Sequence, residues 1–433
     1  MNAGWPIKKL CDVADIRVSN VDKKFYASEK PIKLCNYMDV YTNLYVTSRL
    51  AFMEGSASTA EIERFTLNCG DVVITKDSET PDDIGIAAVI AEPINRLVCG
   101  YHLALIRPDA DELDSIYLAK QLSTSRVARY FARHASGSTR YGLPISVIES
   151  VDIPTPPKPE QTKIGEILST VDRAIEQTEE LIAKQQRIKA GLMQDLLTCG
   201  IDEHGNLRSE QTYKFKDSSL GRIPAEWEVA KLESVAEFVT SGSRGWAKYY
   251  SDEGPIFLRI GNLTRTHINL RLDDLVFVNP PTSSEGKRTS VLPGDLLISI
   301  TADLGIIGVI PDAFGEAYVN QHIALVRLSQ VKATPRFLGW FLSSRGGQKQ
   351  FEKLNESGAK AGLNLPTIKK LTVPLPKGIE QQRIAEILDS NTQQLNGHHR
   401  RLAKLRLLKT ALMQDLLTGK KRVTHLLEPE PTH

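Results

Sequence analysis

From Ile164 the apolar residues of this chain return by alternate steps of four and three, at Leu168, Val171, Ile175, Ile182, Leu192 and Leu196, with Thr178, Gln185 and Lys189 in the remaining places. The same stepping from Ile384 meets Leu388, Leu395, Leu402, Leu405, Leu412 and Leu416, interrupted by Asn391, His398 and Lys409. This period predicts two long helices bearing the narrow seam of a two-stranded coiled coil, whose mid-seam polar residues fix register at some loss of stability. Gly200 and Gly419 stop the helices just past the last periodic residue. At about 1.5 Å per residue, each makes a rod of about 58 Å.

The two helices are one word written twice. Residues 160–198 open EQTKIGEIL and close LMQDLLT; residues 380–418 open EQQRIAEIL and close LMQDLLT, at a constant offset of 220 with 16 of 39 positions identical. The repeat reaches further. Trp5, Lys9, Leu10, Val13 and Ala14 return as Trp227, Lys231, Leu232, Val235 and Ala236; Gly70-Asp71 and Ile74 return as Gly294-Asp295 and Ile298. His102 to Arg107 returns as His322 to Arg327, and Ser136-Gly137 as Ser357-Gly358. Each globular copy leaves through prolines, at 153–157 and 373–376. A duplication of this length sets the organisation. It predicts a globular domain at 1–157, a helix at 158–200, a polar linker at 201–220, a second globular domain at 221–377, a helix at 378–420 and a flexible tail at 421–433.

Inside the globular copies, short β-branched runs at 72–75, 86–90, 102–106, 256–260, 296–300, 305–310 and 322–328 predict strands, and 115–132 and 335–354 predict helices. The order is α+β, without the regular strand-helix alternation of a nucleotide-binding sheet. Charge then orients the rods. Laid parallel, Glu166 meets Glu386, Lys184 meets Lys404, Lys189 meets Lys409 and Asp195 meets Asp415. Antiparallel pairing removes these clashes and turns Glu176, Glu179 and Glu180 toward Arg400 and Arg401. Each exposed pair contributes only about a few tenths of a kcal/mol, so charge selects the orientation and the apolar seam holds it. The expected architecture is two α+β domains related by a pseudo-two-fold axis and separated by an antiparallel coiled coil. Such an arrangement suits a two-part target with a fixed gap, and DNA half-sites share a face only at set separations.

Composition narrows the class. With 54 basic against 52 acidic residues, the chain is no stand-alone, charge-driven nucleic-acid binder, so partners must supply much of any phosphate clamp. It has neither a long apolar run nor a charged-then-apolar leader, which predicts a cytoplasmic protein with no membrane partner. Five cysteines, at least 24 residues apart, have no metal-ligand or redox spacing and are read as reduced and mostly buried.

The paired helices, the proline exits, LGRIPAEWEVAKL at 220–232 and the GDxxI and SG…LP elements together resemble the specificity subunit of type I restriction-modification systems, over essentially the whole chain. The resemblance implies two target-recognition domains, each reading one half of a bipartite double-stranded DNA site. It implies conserved helices that set the spacer and dock two modification (methyltransferase) subunits, with restriction (motor-nuclease) subunits joining to cleave. S-adenosylmethionine, ATP and Mg2+ then belong to those partners, and this chain is a non-catalytic subunit without a cofactor or metal. A methylation-only or other phage-defence complex would use the same subunit. A protein-binding scaffold is the reading that dispenses with DNA.

Catalytic motifs are accordingly expected to be missing. Asn279-Pro280-Pro281-Thr282 lacks the aromatic that stacks a flipped base. Gly286-Lys287-Arg288 lacks the upstream glycine and the hydroxyl of a phosphate loop, and Pro81-Asp82-Asp83 reads as a surface turn. His102 and His322 read as satisfied core histidines. DNA contact needs Arg, Lys, Asn or Gln for base edges and hydroxyls or basic groups for phosphates. The candidates in the first domain are Ser136, Gly137, Ser138, Thr139, Arg140 and Tyr141, a run of donors before Leu143-Pro144, with Lys76 after its strand. In the second domain they are Ser357, Gly358 and Lys360, then Ser243, Arg244, Trp246 and Lys248 beside Ser241-Gly242, and Arg259 with Asn262.

Overall fold

The computed structural model describes residues 4–242, 244–281, 284–329, 331–356 and 363–427. The chain divides into two compact units, Met1–Glu179 with Arg401–His433, and Glu180–Arg400. Each long helix, Lys158–Thr198 and Gly378–Leu416, therefore begins in one unit and ends in the other.

In the first unit a five-stranded sheet runs in the order Ala14–Val18, Leu103–Pro108, Val72–Thr75, Ala87–Ile90, Tyr45–Val46, antiparallel except for its last pair. A smaller sheet pairs Met53–Ala57, Lys30–Cys35 and Leu97–Cys99. The strands read as unbroken apolar runs because both faces are covered. Val72, Ile74, Ala104 and Ile106 face a core built with the helices Ser115–Leu122 and Ser125–His134 and with Ile164, Leu168, Leu416 and Leu417. Val73, Leu103 and Leu105 face the smaller sheet.

The second unit keeps the same alternation. Its four-stranded sheet orders Ala236–Ser241, Ile323–Leu328, Leu296–Ser299 and Ile307–Val309. Leu296, Ile298, Ala324 and Val326 turn to the helical core, while Leu297, Ile323 and Leu325 turn to the other side. The helices expected at 115–132 and 335–354 are each two. Thr124 closes the first break by accepting the Val127 N–H on its hydroxyl, and Ser344 takes an extended backbone at the second, so Ser125–His134 and Arg345–Glu356 start anew.

Every seam position of both long helices is buried or half-buried. Within the first unit Lys409 pairs with Asp172 at 2.8 Å and Arg406 with Glu179 at 2.7 Å, so the helix segments run antiparallel there. Within the second, Gln185 donates to Gln394 at 3.0 Å. The basic partners differ from the expected Arg400 and Arg401, which are exposed. Lys409 and its repeat Lys189 have different partners. Lys189 is buried on the Trp340 ring, 4.8 Å from its centroid, and donates to the Thr266 carbonyl at 2.6 Å; burial pushes its ammonium pKa down.

The opening Glu-Gln of the repeated word also has a physical reason. Gln161 accepts the Asp114 N–H at 2.9 Å and donates to the Pro156 carbonyl at 2.9 Å; Gln381 accepts the Thr334 N–H and donates to the Pro376 carbonyl, both at 2.8 Å. Each glutamine thus joins the proline exit to the start of a helix. Glu160 is fully buried and takes two bonds from Arg422, at 2.7 and 2.6 Å. Glu380 takes two from Arg208, at 2.5 and 3.1 Å, with the Ile201 N–H at 3.0 Å and the Trp227 indole at 3.2 Å.

These bonds also hold the segments that follow the two helices. The polar segment at 201–220 is ordered: Ile201 and Arg208 are buried and Phe215–Ser218 forms a hairpin with Gly221–Pro224. After the second helix Val423 is buried and Lys420 and Lys421 lie on Asp415. Gly200, at φ +65°, sits where a side-chain carbon would stand 2.2 Å from Glu380 Oε1. Among the cysteines, Cys35 and Cys99 are buried, but Cys11 and Cys69 are exposed. In denaturant unfolding, Arg422→Ala is expected to cost about 3 kcal/mol, because it strands a buried carboxylate, and Arg422→Lys to recover only part of it, lacking the two-pronged geometry. A loss below about 0.5 kcal/mol, the scale of a neutral surface change, would contradict the clamp.

Candidate nucleic-acid interface

In the first unit the strand Val72–Thr75 ends at Lys76, whose N–H donates to the His102 carbonyl at 3.0 Å and whose carbonyl accepts the Leu143 N–H at 2.8 Å. Asp77–Ser78 then pairs with Tyr141–Gly142. Ser136 and Gly142 exchange backbone bonds at 2.9 and 2.8 Å, closing a loop whose tip presents Ser138, Thr139 and Arg140 to solvent. Gly137 is required: at φ +140° a side-chain carbon would stand 1.9 Å from the Arg140 carbonyl oxygen. The structure thus brings Lys76 and the run from Ser136 to Tyr141 together, although 60 positions separate Lys76 from Ser136.

Lys76 is not a free cation. Its ammonium lies 2.9 Å from Asp77 Oδ2, which also lies 2.8 Å from His102 Nδ1, and 6.0 Å from the centre of the Tyr101 ring. Burial works to raise the Asp77 carboxyl, but the Lys76 and His102 bonds outweigh it and hold the group below its ordinary value. Asp77 escaped the sequence reading; its signal was its place, directly after Lys76 at a strand end.

The second unit repeats the frame with other chemistry. Ile300 donates its N–H to the His322 carbonyl at 3.0 Å and accepts the Leu363 N–H at 2.8 Å, as Lys76 does with His102 and Leu143. The side chain after it is Thr301, whose hydroxyl lies 2.7 Å from His322 Nδ1. Both histidines are therefore partnered, as expected of core histidines. Ser243, Ser357, Gly358 and Lys360 lie outside the described residues.

Two candidates are corrected. Trp246 is 2% exposed and stacks on Phe257 with centroids 5.5 Å apart, beside Tyr318 and Tyr249. Asn262 is equally buried; its amide accepts the Arg259 N–H at 2.9 Å and donates to the Arg271 and Asp274 carbonyls, stapling a loop. Neither can reach a base. Arg259 is half-buried and donates to Asp274 at 2.9 Å, whereas Arg244 and Lys248 are exposed. Pro81–Asp83 is a short 3-10 turn, with Asp83 accepting from Tyr41. Among the described residues no group of three or more His, Cys, Asp or Glu is placed to hold a metal ion, and no helix is long and apolar enough to cross a membrane.

The two units thus repeat one backbone frame, and the side chains that it carries at 76–77 and 300–301 differ in chemistry. The chain belongs to the family of type I restriction modification DNA specificity domains, whose model matches twice, over residues 2–185 and 224–407. It is similar to two specificity subunits of Methanocaldococcus jannaschii. One is that of type I restriction enzyme MjaVIII, 26% identical over 72% of each chain. The other is that of MjaIX, 21% identical over 98% of this chain and 94% of the relative. The crystal structure of a type I restriction-modification S subunit from M. genitalium shares the fold, at a TM-score of 0.60 with 16% identity, covering 95% of this chain and 96% of that one.

Trp246→Ala is expected to destabilise the second unit by about 3–5 kcal/mol, as loss of a buried aromatic does, in denaturant unfolding followed by fluorescence. Arg140→Ala should stay within about 0.5 kcal/mol of the parent chain; a large loss there would show the loop tip to be structural.

Proposed function

We propose that each unit reads one half of a bipartite double-stranded DNA sequence and that the two long helices set the gap between the halves. In this reading the exposed faces of the helices dock two modification subunits, and restriction subunits join that assembly. The chain itself does no chemistry. Methyl transfer, ATP use and cleavage, with S-adenosylmethionine, ATP and Mg2+, belong to the partners, and the complex works in the cytoplasm.

The observation that carries the reading is the duplicated frame with unlike rims. Lys76 and Asp77 in one unit stand where Ile300 and Thr301 stand in the other, on matching backbone bonds. In this reading the paired charges of Lys76 and Asp77 in one unit and the Thr301 hydroxyl in the other, where Ile300 is buried in the core, present different donor and acceptor patterns to the bases. The candidate DNA contacts are Arg140, with Ser136, Gly137, Ser138, Thr139, Tyr141 and Lys76 around it, and Arg244, Lys248, Arg259, Ser243, Ser357, Gly358 and Lys360 in the second domain. The near-neutral net charge, +2, supports a complex in which other subunits carry much of the phosphate contact.

Exchanging residues 221–377 for the corresponding domain of another specificity subunit should alter one half of the sequence methylated in cells and leave the other half and the gap unchanged. Arg140→Ala should cost about 1–3 kcal/mol and relax one position of the half that the exchange leaves alone, if that arginine reads a base. A changed motif in both halves after the exchange would count against one domain reading one half.

A further inference from the structure

A second repeat lies outside the loops discussed so far. Residues 24–34, KFYASEKPIKL, return at an offset of 224 as residues 248–258, KYYSDEGPIFL, with Lys, Tyr, Glu, Pro, Ile and Leu identical. The last part of each run is strand, Lys30–Cys35 and Tyr250–Leu258, and its Ile and Leu fill the core. That accounts for the closing residues of the run. It does not account for the opening Lys and Tyr, which are exposed in both copies.

Phe25 is 67% exposed, Tyr26 44% and Tyr250 49%, and Lys24 and Lys248 are exposed as well. Large exposed aromatics repeated in two copies mark a contact surface more often than a fold requirement. The backbone beneath them is firmly held. In the first unit Tyr101 donates its N–H to the Val21 carbonyl at 2.9 Å, and Tyr26 its N–H to the Ser56 hydroxyl at 2.8 Å. In the second, Asn279 donates its N–H to the Tyr249 carbonyl at 2.8 Å, and Trp246 packs under the Tyr249 ring. Lys248 lies over that ring, 4.9 Å from its centre. In the first unit Asp22 accepts the Lys24 N–H at 2.9 Å and Glu29 accepts the Ser56 hydroxyl at 2.7 Å; in the second, Asp252 and Glu253 of the run are exposed.

The segment adjoins the candidate readers in both units. It follows the strand Ala14–Val18, and three residues ahead of it Val21 accepts the N–H of Tyr101, which carries Lys76 over its ring. In the second unit it follows Ala236–Ser241, where Gly242 donates its N–H to the Ile323 carbonyl at 3.2 Å, one residue from His322 and its partner Thr301. Sameness and difference now carry information. The groups at 76–77 and 300–301 differ, as readers of unlike half-sites must. A group that is alike in both units cannot tell one half-site from the other, but it can hold what both have in common.

We propose that Lys24 with Tyr26, and Lys248 with Tyr250, are matched phosphate contacts, one pair in each recognition domain, holding the DNA backbone without reading its sequence. The ammonium and the phenol are phosphate donors, and in the first unit the exposed ring of Phe25 offers an apolar face to the adjoining sugar. The inference rests on the reading of both units as DNA-specificity domains.

The test uses the full chain assembled with its modification subunits. Binding is titrated by fluorescence anisotropy on three duplexes: the sequence methylated in cells, the same duplex with one half-site scrambled, and an unrelated duplex, at low and moderate salt. Lys24→Ala and Lys248→Ala should each weaken binding to all three by the same factor. Each should also flatten the slope of log affinity against log salt by about 0.9, which is about a threefold smaller change in affinity between 50 and 200 mM. Lys24→Arg should restore both, and thermal melts of all variants should match the parent. Loss on the methylated sequence alone would overturn the proposal in favour of base reading, and unchanged binding on all three duplexes would overturn it outright. Should the parent assembly fail to prefer its methylated sequence, the DNA-specificity reading falls first and the inference with it.

Discussion

A carboxylate taken out of water must be met by charge and by hydrogen bonds, or it costs several kcal/mol. Glu160 and Glu380 pose that demand at the start of each long helix, and the demand is met from far along the chain. Arg422 answers Glu160 within the first unit, and Arg208 answers Glu380 within the second. Each arginine belongs to the segment that follows the other helix. The start of one helix and the exit of the other are thereby tied together inside each unit, and the close approach of Gly200 to Glu380 and Trp227 follows from it. The Glu-Gln opening and the Leu-Leu closing of the repeated word serve that junction: Leu196 and Leu197 enter the core of one unit, Leu416 and Leu417 that of the other.

On this frame the strands carry a second repeated device. Asp71 and Asp295 are buried and bound two-pronged by Arg107 and Arg327, at 2.7–2.9 Å, while each also caps the turn before its strand. The Gly-Asp and the final Arg of the HLALIR-type strand are thus one structural unit, and they deliver the next residues, at 76–77 and 300–301, to the same place in each domain. In the proposed function this fixed backbone would present the differing side chains of Asp77 and Thr301 to the DNA.

Much of this could be read from sequence, and what could not has identifiable causes. The seams were legible because period 3.5 survives wherever a helix buries one narrow face, and all of its positions are covered. The strands at 72–75 and 296–299 were legible because both faces are apolar. The segments at 201–220 and 421–427 were not, because their order comes from Arg208 and Arg422, whose partners lie 172 and 262 positions away. Trp246 and Asn262 misled because residue type does not report direction: an indole can fill a small core and an asparagine can staple a turn as readily as either can meet DNA. Lys76 and the Ser136 to Tyr141 loop were named separately; only folding puts them side by side, and only folding reveals Asp77 between Lys76 and His102.

In the proposed function the long helices set the gap between the half-sites, so helix length is the variable that changes it. Four residues added to each long helix, within the exposed stretch between Ile182 and Lys189 and its counterpart between Leu402 and Lys409, lengthen the helices by about 6 Å. Sequencing the methylated motif in cells carrying that chain should return both half-sites unchanged, with the gap between them longer by one or two base pairs. Intact half-sites with an unaltered gap would contradict the account.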